Sequence, residues 1–374
     1  MLGALALAAM VSLSKAERAE YETPPHNTLR DCGDRPPDVG ECRLPPGLSA
    51  ADIETQLAGK DTAWWRDGDQ FVVVARRDTD QAYLCCAARG RMDHVSGDLW
   101  ALRLHIADLD RATIDVFVQP EGAIAGAYRG PDAPPRPTIA DTLQGQIVNV
   151  TLKSDYLDAP RSLTIYLPPG YDPSKKYPVL YEADGVIRRE EAKFVEPMIL
   201  NGQLPPMIVV GIWPGITAQD LLRRSEEYLF GWPNGAPFFL KHESFMLKEV
   251  LPYMESKYGA SSDPAQRIVT GFSSGSAWAA SMGVRHPDVF RTVIAQSIGW
   301  PGAEKGADAP SATRFFLSAG TLEPVFYKET ISFADVARAS GHEVKLETTV
   351  SGHTETIWRP TLLDGLKWAF AKSD

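Results

Sequence analysis

From Tyr177 onward the chain repeats a pattern that few folds satisfy. "YPVLYEADG", "MIVVGIW", "RIVTGFSSG", "TVIAQSIGW" and "RFFLSAG" are short apolar runs ending in glycine or polar residues. Helical segments lie between several of them. The clearest is Pro237 to Tyr258, where Phe239, Phe245, Leu247, Val250, Leu251 and Met254 recur near helical spacing. Strands alternating with helices imply an α/β fold, a mostly parallel sheet covered by helices on both faces. Just upstream, "QIVNVTLKS" and "RSLTIYLP" read as a hairpin. In such sheets the working groups sit in loops at the carboxyl ends of the strands.

One of those ends reads Gly271-Phe272-Ser273-Ser274-Gly275 and fits the pattern G-x-S-x-G with Ser273 at its centre. "RIVT" before it is strand-like, and "SAWAASMGVRH" after it can form a helix. A strand that turns sharply into a helix holds one hydroxyl outward, and flanking glycines let the backbone crowd together there. The helix N-terminus then offers an N–H, that of Ser274, to a developing oxyanion. The plainer reading of Ser274 is a helix-capping hydroxyl.

A serine hydroxyl needs a base, and the base needs an orienting acid. In this class of fold the chain order is serine, acid, histidine. His286, His342 and His353 follow Ser273. His286 ends the elbow helix and reads as a capping or surface residue, and His342 lies at a strand start. His353 follows the strand "VKLETTV" in the loop "SGHTETIW", where the order requires the base. For the acid, the loop after "RFFLSAG" offers Glu323 as its one carboxylate, whereas Asp335 lies within a helix-like segment and Asp288 on the wrong side of a strand. The alternative for Glu323 is a first-turn or N-cap carboxylate of the next helix. A second oxyanion donor is expected from the loop after "PVLYEADG", with the backbone N–H of Gly185 or Val186 as candidates. This chemistry calls for no cofactor and no metal, and the cysteines lack the Cys-x-x-Cys spacing of a zinc site.

The upstream part has a different character. Residues 1–16 read as a signal peptide: Leu2 to Leu13 is an apolar run too short to span a bilayer, with Ser14 and Ala16 placed for cleavage after Ala16. A secreted or periplasmic location follows. Residues 17–47 read as an extended leader rich in Pro, Gly and charge. Residues 48–130 carry "QFVVVARR", "AYLCCAA", "DLWALRLHI" and "ATIDVFVQP", bounded by turn residues and without a convincing long amphipathic helix, which predicts a small all-β sandwich. "PDAPPRPT" at 131–138 is a semi-rigid linker, leaving 139–374 as the catalytic domain. No later segment is apolar enough for a membrane helix. Cys32 and Cys42 bracket a short loop that a disulfide could close. Cys85 and Cys86 are adjacent, and all three pairings stay open. The net charge of −10 argues against nucleic acid as a partner. A small-molecule ester is the expected partner.

The segments "LTIYLPPGYDPSKKYPVLYEADG", "LPPMIVVGI", "RRSEEYLFG", "KEVLPYMESKYG", "RIVTGFSSGSAWAA", "RHPDVF", "AQSIGW", "AGTLEP" and "GHTETIWRPTLLDGLKWAF" occur in the order of the Putative esterase family. The chain resembles that family from roughly Gln146 to Phe370. Its members include S-formylglutathione hydrolases, feruloyl and acetylxylan esterases, and enterochelin (siderophore) esterases. The "QS…W" segment and the upstream β domain look most like the last branch. The resemblance implies an α/β-hydrolase fold and a Ser-acid-His mechanism falling on Ser273, Glu323 and His353. Ser276 stands where the family elbow has a second glycine, and "EADGV" is shorter than the family's post-strand loop, which leaves oxyanion geometry and substrate open. Arg224 and Glu227 fit the family's Arg-x-x-Glu-Tyr pattern and are expected to form a buried ion pair shaping a loop, with substrate contact by Arg224 the lesser reading. Trp213, Trp232, Trp300 and Trp358 lie in or near loops at the active end, as an aromatic rim or as loop packing. The expected function is a serine carboxylic-ester hydrolase acting on a siderophore or aromatic ester. The competing readings are a feruloyl- or acetylxylan-type carbohydrate esterase and a non-catalytic binding protein on the same fold. The second half holds the whole Ser-Glu-His set, so it is expected to cleave small esters without the β domain, which narrows the substrate range.

Overall fold

The computed structural model describes residues 29–120, 124–185, 190–215, 223–230, 232, 236–299 and 312–371. The expected signal peptide, residues 17–28 of the leader, Val186 and Trp300 lie outside the described residues.

The upstream part is built from β1 (Glu41–Leu44), α1 (Ala50–Leu57), β2 (Thr62–Asp67), β3 (Gln70–Arg76), β4 (Tyr83–Cys86), β5 (Gly90–Arg91), β6 (Asp93–Ser96), β7 (Leu99–Ile106), β8 (Thr113–Gln119) and β9 (Gly126–Arg129). One antiparallel sheet runs β1-β7-β3-β2, with β6 also beside β7, and a second runs β5-β4-β8-β9. Alternation along β3, β7 and β8 turns Phe71, Val73, Leu102, Leu104, Ile114 and Val116 into one core between the sheets. Two features differ from the sequence expectation. β1 lies inside the stretch read as extended leader, because Glu41 to Leu44 pair with Ile106 to Arg103. Helix α1 forms although no long amphipathic pattern marks it. The Ser49 hydroxyl and Asp52 carboxylate close a capping box at its start, and Ile53 and Leu57 bury one face against Val74, Leu99 and Ala101. The disulfides are Cys32–Cys42 and Cys85–Cys86.

The second half contains β10 (Gln146–Leu152), β11 (Arg161–Leu167), β12 (Val179–Ala183), α2 (Ala192–Leu200), β13 (Ile208–Ile212), α3 (Arg224–Tyr228), α4 (Ala236–Phe245), α5 (Leu251–Tyr258), β14 (Arg267–Phe272), α6 (Ser274–Arg285), β15 (Thr292–Gln296), β16 (Arg314–Gly320), α7 (Pro324–Ala339), β17 (Val344–Thr349) and α8 (Glu355–Phe370). A π-helical turn, Met246–Val250, joins α4 to α5, so the helix read from Pro237 to Tyr258 is continuous with one widened turn. The sheet order is β10-β11-β13-β12-β14-β15-β16-β17. β10 and β11 are antiparallel at one edge, and every pair from β13 to β17 is parallel. Phe245, Met254, Trp278 and Phe333 cover one face from α4 to α7. Val195 and Met198 of α2, with Leu362 and Leu366 of α8, cover the other. This is an α/β-hydrolase fold, and the ends of β12, β14, β16 and β17 point their loops to one side.

The halves share a core. Leu322 and Val350, from loops after β16 and β17, pack with the β-domain residues. The Thr113 N–H donates to the Val350 carbonyl at 2.9 Å.

Candidate active site

Ser273 stands between β14 and α6 with φ 55° and ψ −127°. A non-glycine residue held at positive φ costs about 1–3 kcal/mol and marks a site where geometry outranks local comfort. Both flanking glycines are required. A Cβ at Gly271 would meet the Gly275 carbonyl oxygen at 2.3 Å, and one at Gly275 would meet Ala183 Cβ at 2.9 Å. The Ser273 N–H is bound to the Gln296 carbonyl at 3.0 Å. Ser276, the residue in place of the second family glycine, is fully buried, and its hydroxyl donates to the Ser273 carbonyl at 2.6 Å. The hydroxyl therefore braces the elbow from beneath.

Glu323 and His353 meet 2.6 Å apart, Oε2 to Nδ1. Glu323 occupies the N-cap position of α7, yet its side chain makes no cap bond. Its other oxygen, Oε1, accepts from the Gly320 N–H and the Ser297 hydroxyl, both at 2.6 Å. The carboxylate is thus buried and held by three donors. Burial pushes the His353 imidazole below its ordinary value, partly offset by Glu323, which favours the charged form. Phe326 stacks on the imidazole with centroids 3.9 Å apart, and Trp358 meets it edge-on at 4.7 Å. Among the described residues no hydrogen bond joins His353 to the Ser273 hydroxyl. Such bonds are often long in unliganded sites and tighten with substrate. Phe326 links the two parts, lining the cavity beside Ser273 and Ser274 while stacking on His353.

That cavity, about 360 Å³, is further lined by Arg224, Leu229, Trp232 and Gly299. Arg224 does not pair with Glu227. It clamps Asp184 with two bonds, 2.6 and 2.7 Å, and donates to the Phe272 carbonyl at 2.9 Å. Glu227 is buried against Arg161 and accepts from the Gly215 N–H at 2.8 Å. The two residues share a short helix, but Arg224 points to the elbow and Glu227 to the β11 side.

Gly185 is not the second oxyanion donor, because its N–H is bound to the Ile212 carbonyl at 2.9 Å. It must be glycine for packing, since a Cβ there would lie 2.3 Å from the Gly211 carbonyl carbon. Ser274 is the first residue of α6, where a backbone N–H has no intrahelical acceptor. Trp213 does not line the Ser273 cavity, and its indole donates to the Thr164 hydroxyl at 2.9 Å. Trp358 is buried beneath His353 rather than at a rim, stacks on Phe272 at 4.2 Å, and donates to the Ser297 hydroxyl at 2.8 Å. His286 caps α6 and contacts Glu243 at 2.9 Å, His342 contacts the Thr313 carbonyl, and Asp335 pairs with Arg338 on the surface.

Four contributors carry no sequence signal. Ser297 (φ 55°) links Glu323 to Trp358. From the β domain, the Cys86 carbonyl accepts the His353 N–H at 3.1 Å, and Asp115 accepts from the hydroxyls of Thr354, at 2.7 Å, and Thr356. Arg89, half-buried at the junction, feels the charges of Glu323 and Glu41.

A strained serine at a strand-to-helix elbow and a carboxylate-held histidine lie on an α/β-hydrolase fold. Residues 154–369, more than half of the chain, match the Putative esterase family, and the chain belongs to it; by family it is an ester hydrolase. The fold is similar to that of the enterobactin esterase of Shigella flexneri, with TM-score 0.66 and 18% identity over 85% of this chain and 98% of that one. A ferulic acid esterase is similar over 61% of this chain and 98% of its own, with TM-score 0.53 and 24% identity. A stretch of 75 residues is 37% identical to endo-1,4-beta-xylanase Y of Acetivibrio thermocellus and covers 18% of this chain and 7% of that protein's length.

Proposed function

We propose that the protein is a serine carboxylic-ester hydrolase in which Ser273 is the nucleophile, His353 the general base and Glu323 the orienting acid. The observation that carries this reading is the Glu323–His353 pair at 2.6 Å, with Phe326 stacked on His353 and lining the cavity of the strained Ser273. As Ser273 Oγ attacks the ester carbonyl, His353 Nε2 takes its proton. Glu323 fixes the tautomer that presents Nε2 and stabilises the imidazolium. The Ser274 N–H at the head of α6 faces the developing oxyanion. Collapse expels the alcohol, which receives the proton from His353, and water activated by the same imidazole releases the acid from the acyl-enzyme.

The substrate is an aromatic ester of the siderophore or hydroxycinnamate type. Trp232 and Phe326 offer flat apolar surface beside Ser273, and Arg224 adds a cationic group. The neighbouring enterobactin and ferulic acid esterases share the fold, which is consistent with this choice. The protein works outside the cytoplasm, a reading supported by the two disulfides. The test is hydrolysis of enterobactin, methyl ferulate, acetylated xylan and p-nitrophenyl acetate side by side. Aryl-acyl esters are expected to give the highest kcat/KM. A preference for acetylated xylan would reject the aromatic assignment, and inertness towards all four would favour a non-catalytic role.

A further inference from the structure

A group of four arginines surrounds one hollow away from Ser273. A cavity of about 330 Å³ opens where β8, β9, the 131–138 linker and the start of α8 converge. None of its lining residues borders the Ser273 cavity. Four arginines line it, Arg111, Arg129, Arg136 and Arg359, against two carboxylates, Asp115 and Glu355. In a chain of net charge −10 that is a local excess of positive charge.

The carboxylates are already engaged. Glu355 pairs with Arg359 at 2.5 Å, and Asp115 accepts from Thr354 and Thr356. Arg111, Arg129 and Arg136 pair with no carboxylate among the described residues. Arg129 is bonded to neutral oxygens, the Thr113 hydroxyl and the Pro134 carbonyl. Burial and the adjacent Arg136 both press the Arg129 guanidinium below its usual range. Arg359 offsets Glu355, so three guanidiniums share the hollow with the single Asp115 carboxylate, a net positive charge that suits an anion by ordinary electrostatics. Phe194, Ile139, Ile357 and the linker prolines give the remaining wall an apolar part, beside Thr113, Thr349 and Thr356.

We infer that this junction cavity is a second binding site, for a small aromatic carboxylate whose ring rests on the apolar wall and whose carboxylate meets Arg129 and Arg136. The volume admits a one- or two-ring acid. The linker supplies Arg136 and part of the wall, so a bound acid ties the linker to both halves of the molecule.

The test is calorimetric titration of the full-length protein with 1-naphthoate, using 1-naphthol as the neutral counterpart. The expected result is saturable one-to-one binding, with 1-naphthol at least about tenfold weaker because it lacks the charge. Arg136→Glu, at an exposed linker position, is expected to weaken 1-naphthoate by at least about tenfold, as is Arg129→Gln/Arg136→Gln. Arg224→Gln, in the Ser273 cavity, is expected to leave it unchanged. Binding that survives Arg136→Glu, that is lost in Arg224→Gln, or that fails to saturate by about 10 mM overturns the inference. None of these readouts depends on ester hydrolysis, so the site and the proposed activity stand or fall separately.

Discussion

The backbone N–H of His353 donates to the carbonyl of Cys86, 3.1 Å away on the other side of the domain junction. The histidine loop is therefore shaped by the β domain, with Asp115 binding the next turn through Thr354 and Thr356. Leu322, one residue before the proposed acid, is buried in the β-domain core. This revises the expectation that the second half keeps small-ester chemistry by itself. A chain beginning at Ile139 is expected to lose p-nitrophenyl acetate hydrolysis along with that of larger esters, since a misplacement of about 1 Å can cost about 100-fold. Asp115→Ala in the full chain is expected to lower kcat by several-fold while the protein stays folded. Full small-ester turnover by the truncated chain would reject this role for the junction.

Ser297 Oγ donates to Glu323 and accepts from the Trp358 indole. Ser297→Ala leaves a buried carboxylate short of one donor and a buried indole N–H without an acceptor. Losing such a bond costs about 1–3 kcal/mol. The expected result is a fall in kcat of about tenfold or more with KM nearly unchanged, because the interaction is needed when the imidazolium forms. A change in KM alone would show that Ser297 shapes the binding surface instead.

The base works only as neutral imidazole, and burial holds its pKa below the ordinary 6.5. The acid limb of kcat/KM is therefore expected to bend below pH 6.5. Glu323 raises the His353 pKa, so Glu323→Gln is expected to move that limb to still lower pH while reducing kcat. Asp335→Asn, at a surface pair, is expected to change neither. The reverse pattern would reassign the acid.

His242 is fully buried among Tyr228, Phe245 and Trp278, and neither ring nitrogen has a hydrogen-bond partner among the described residues. Burial pushes its pKa down to about 3. The folded state keeps it neutral while the unfolded chain takes up a proton below about pH 6.5. Its contribution to stability is thus complete above that pH and is lost at about 1.4 kcal/mol per unit as the pH falls towards 3. His242→Phe keeps the aromatic packing and is expected to gain about 2 kcal/mol relative to wild type between pH 8 and pH 5 in urea unfolding. A pH-independent difference between the two proteins would contradict this.

The parallel sheet was legible because buried strands read as apolar runs, and the elbow because its two glycines answer a local steric demand. The meeting of Glu323 and His353 was expected from chain order, since each follows a strand end that the fold turns to one side. What the sequence hid is long-range. Ser297, Cys86 and Asp115 act through hydrogen bonds to partners 26, 267 and 239 positions away, which leave no spacing to read. Arg224 and Glu227 were expected to pair because they fit the family's Arg-x-x-Glu-Tyr pattern, yet each found a better-placed opposite charge on a strand end. Gly185 looked like a donor, but its close approach serves Gly211.

The central claim is that Ser273 carries the chemistry. Treatment with a fluorophosphonate probe, followed by peptide mass mapping and p-nitrophenyl acetate turnover, tests it most directly. The account predicts one adduct, on Ser273, with turnover abolished in step with labelling. Ser273→Ala is predicted to take up no label and to fall to background. An unlabelled wild-type protein, an adduct on another serine such as Ser274, or wild-type turnover by Ser273→Ala would contradict it.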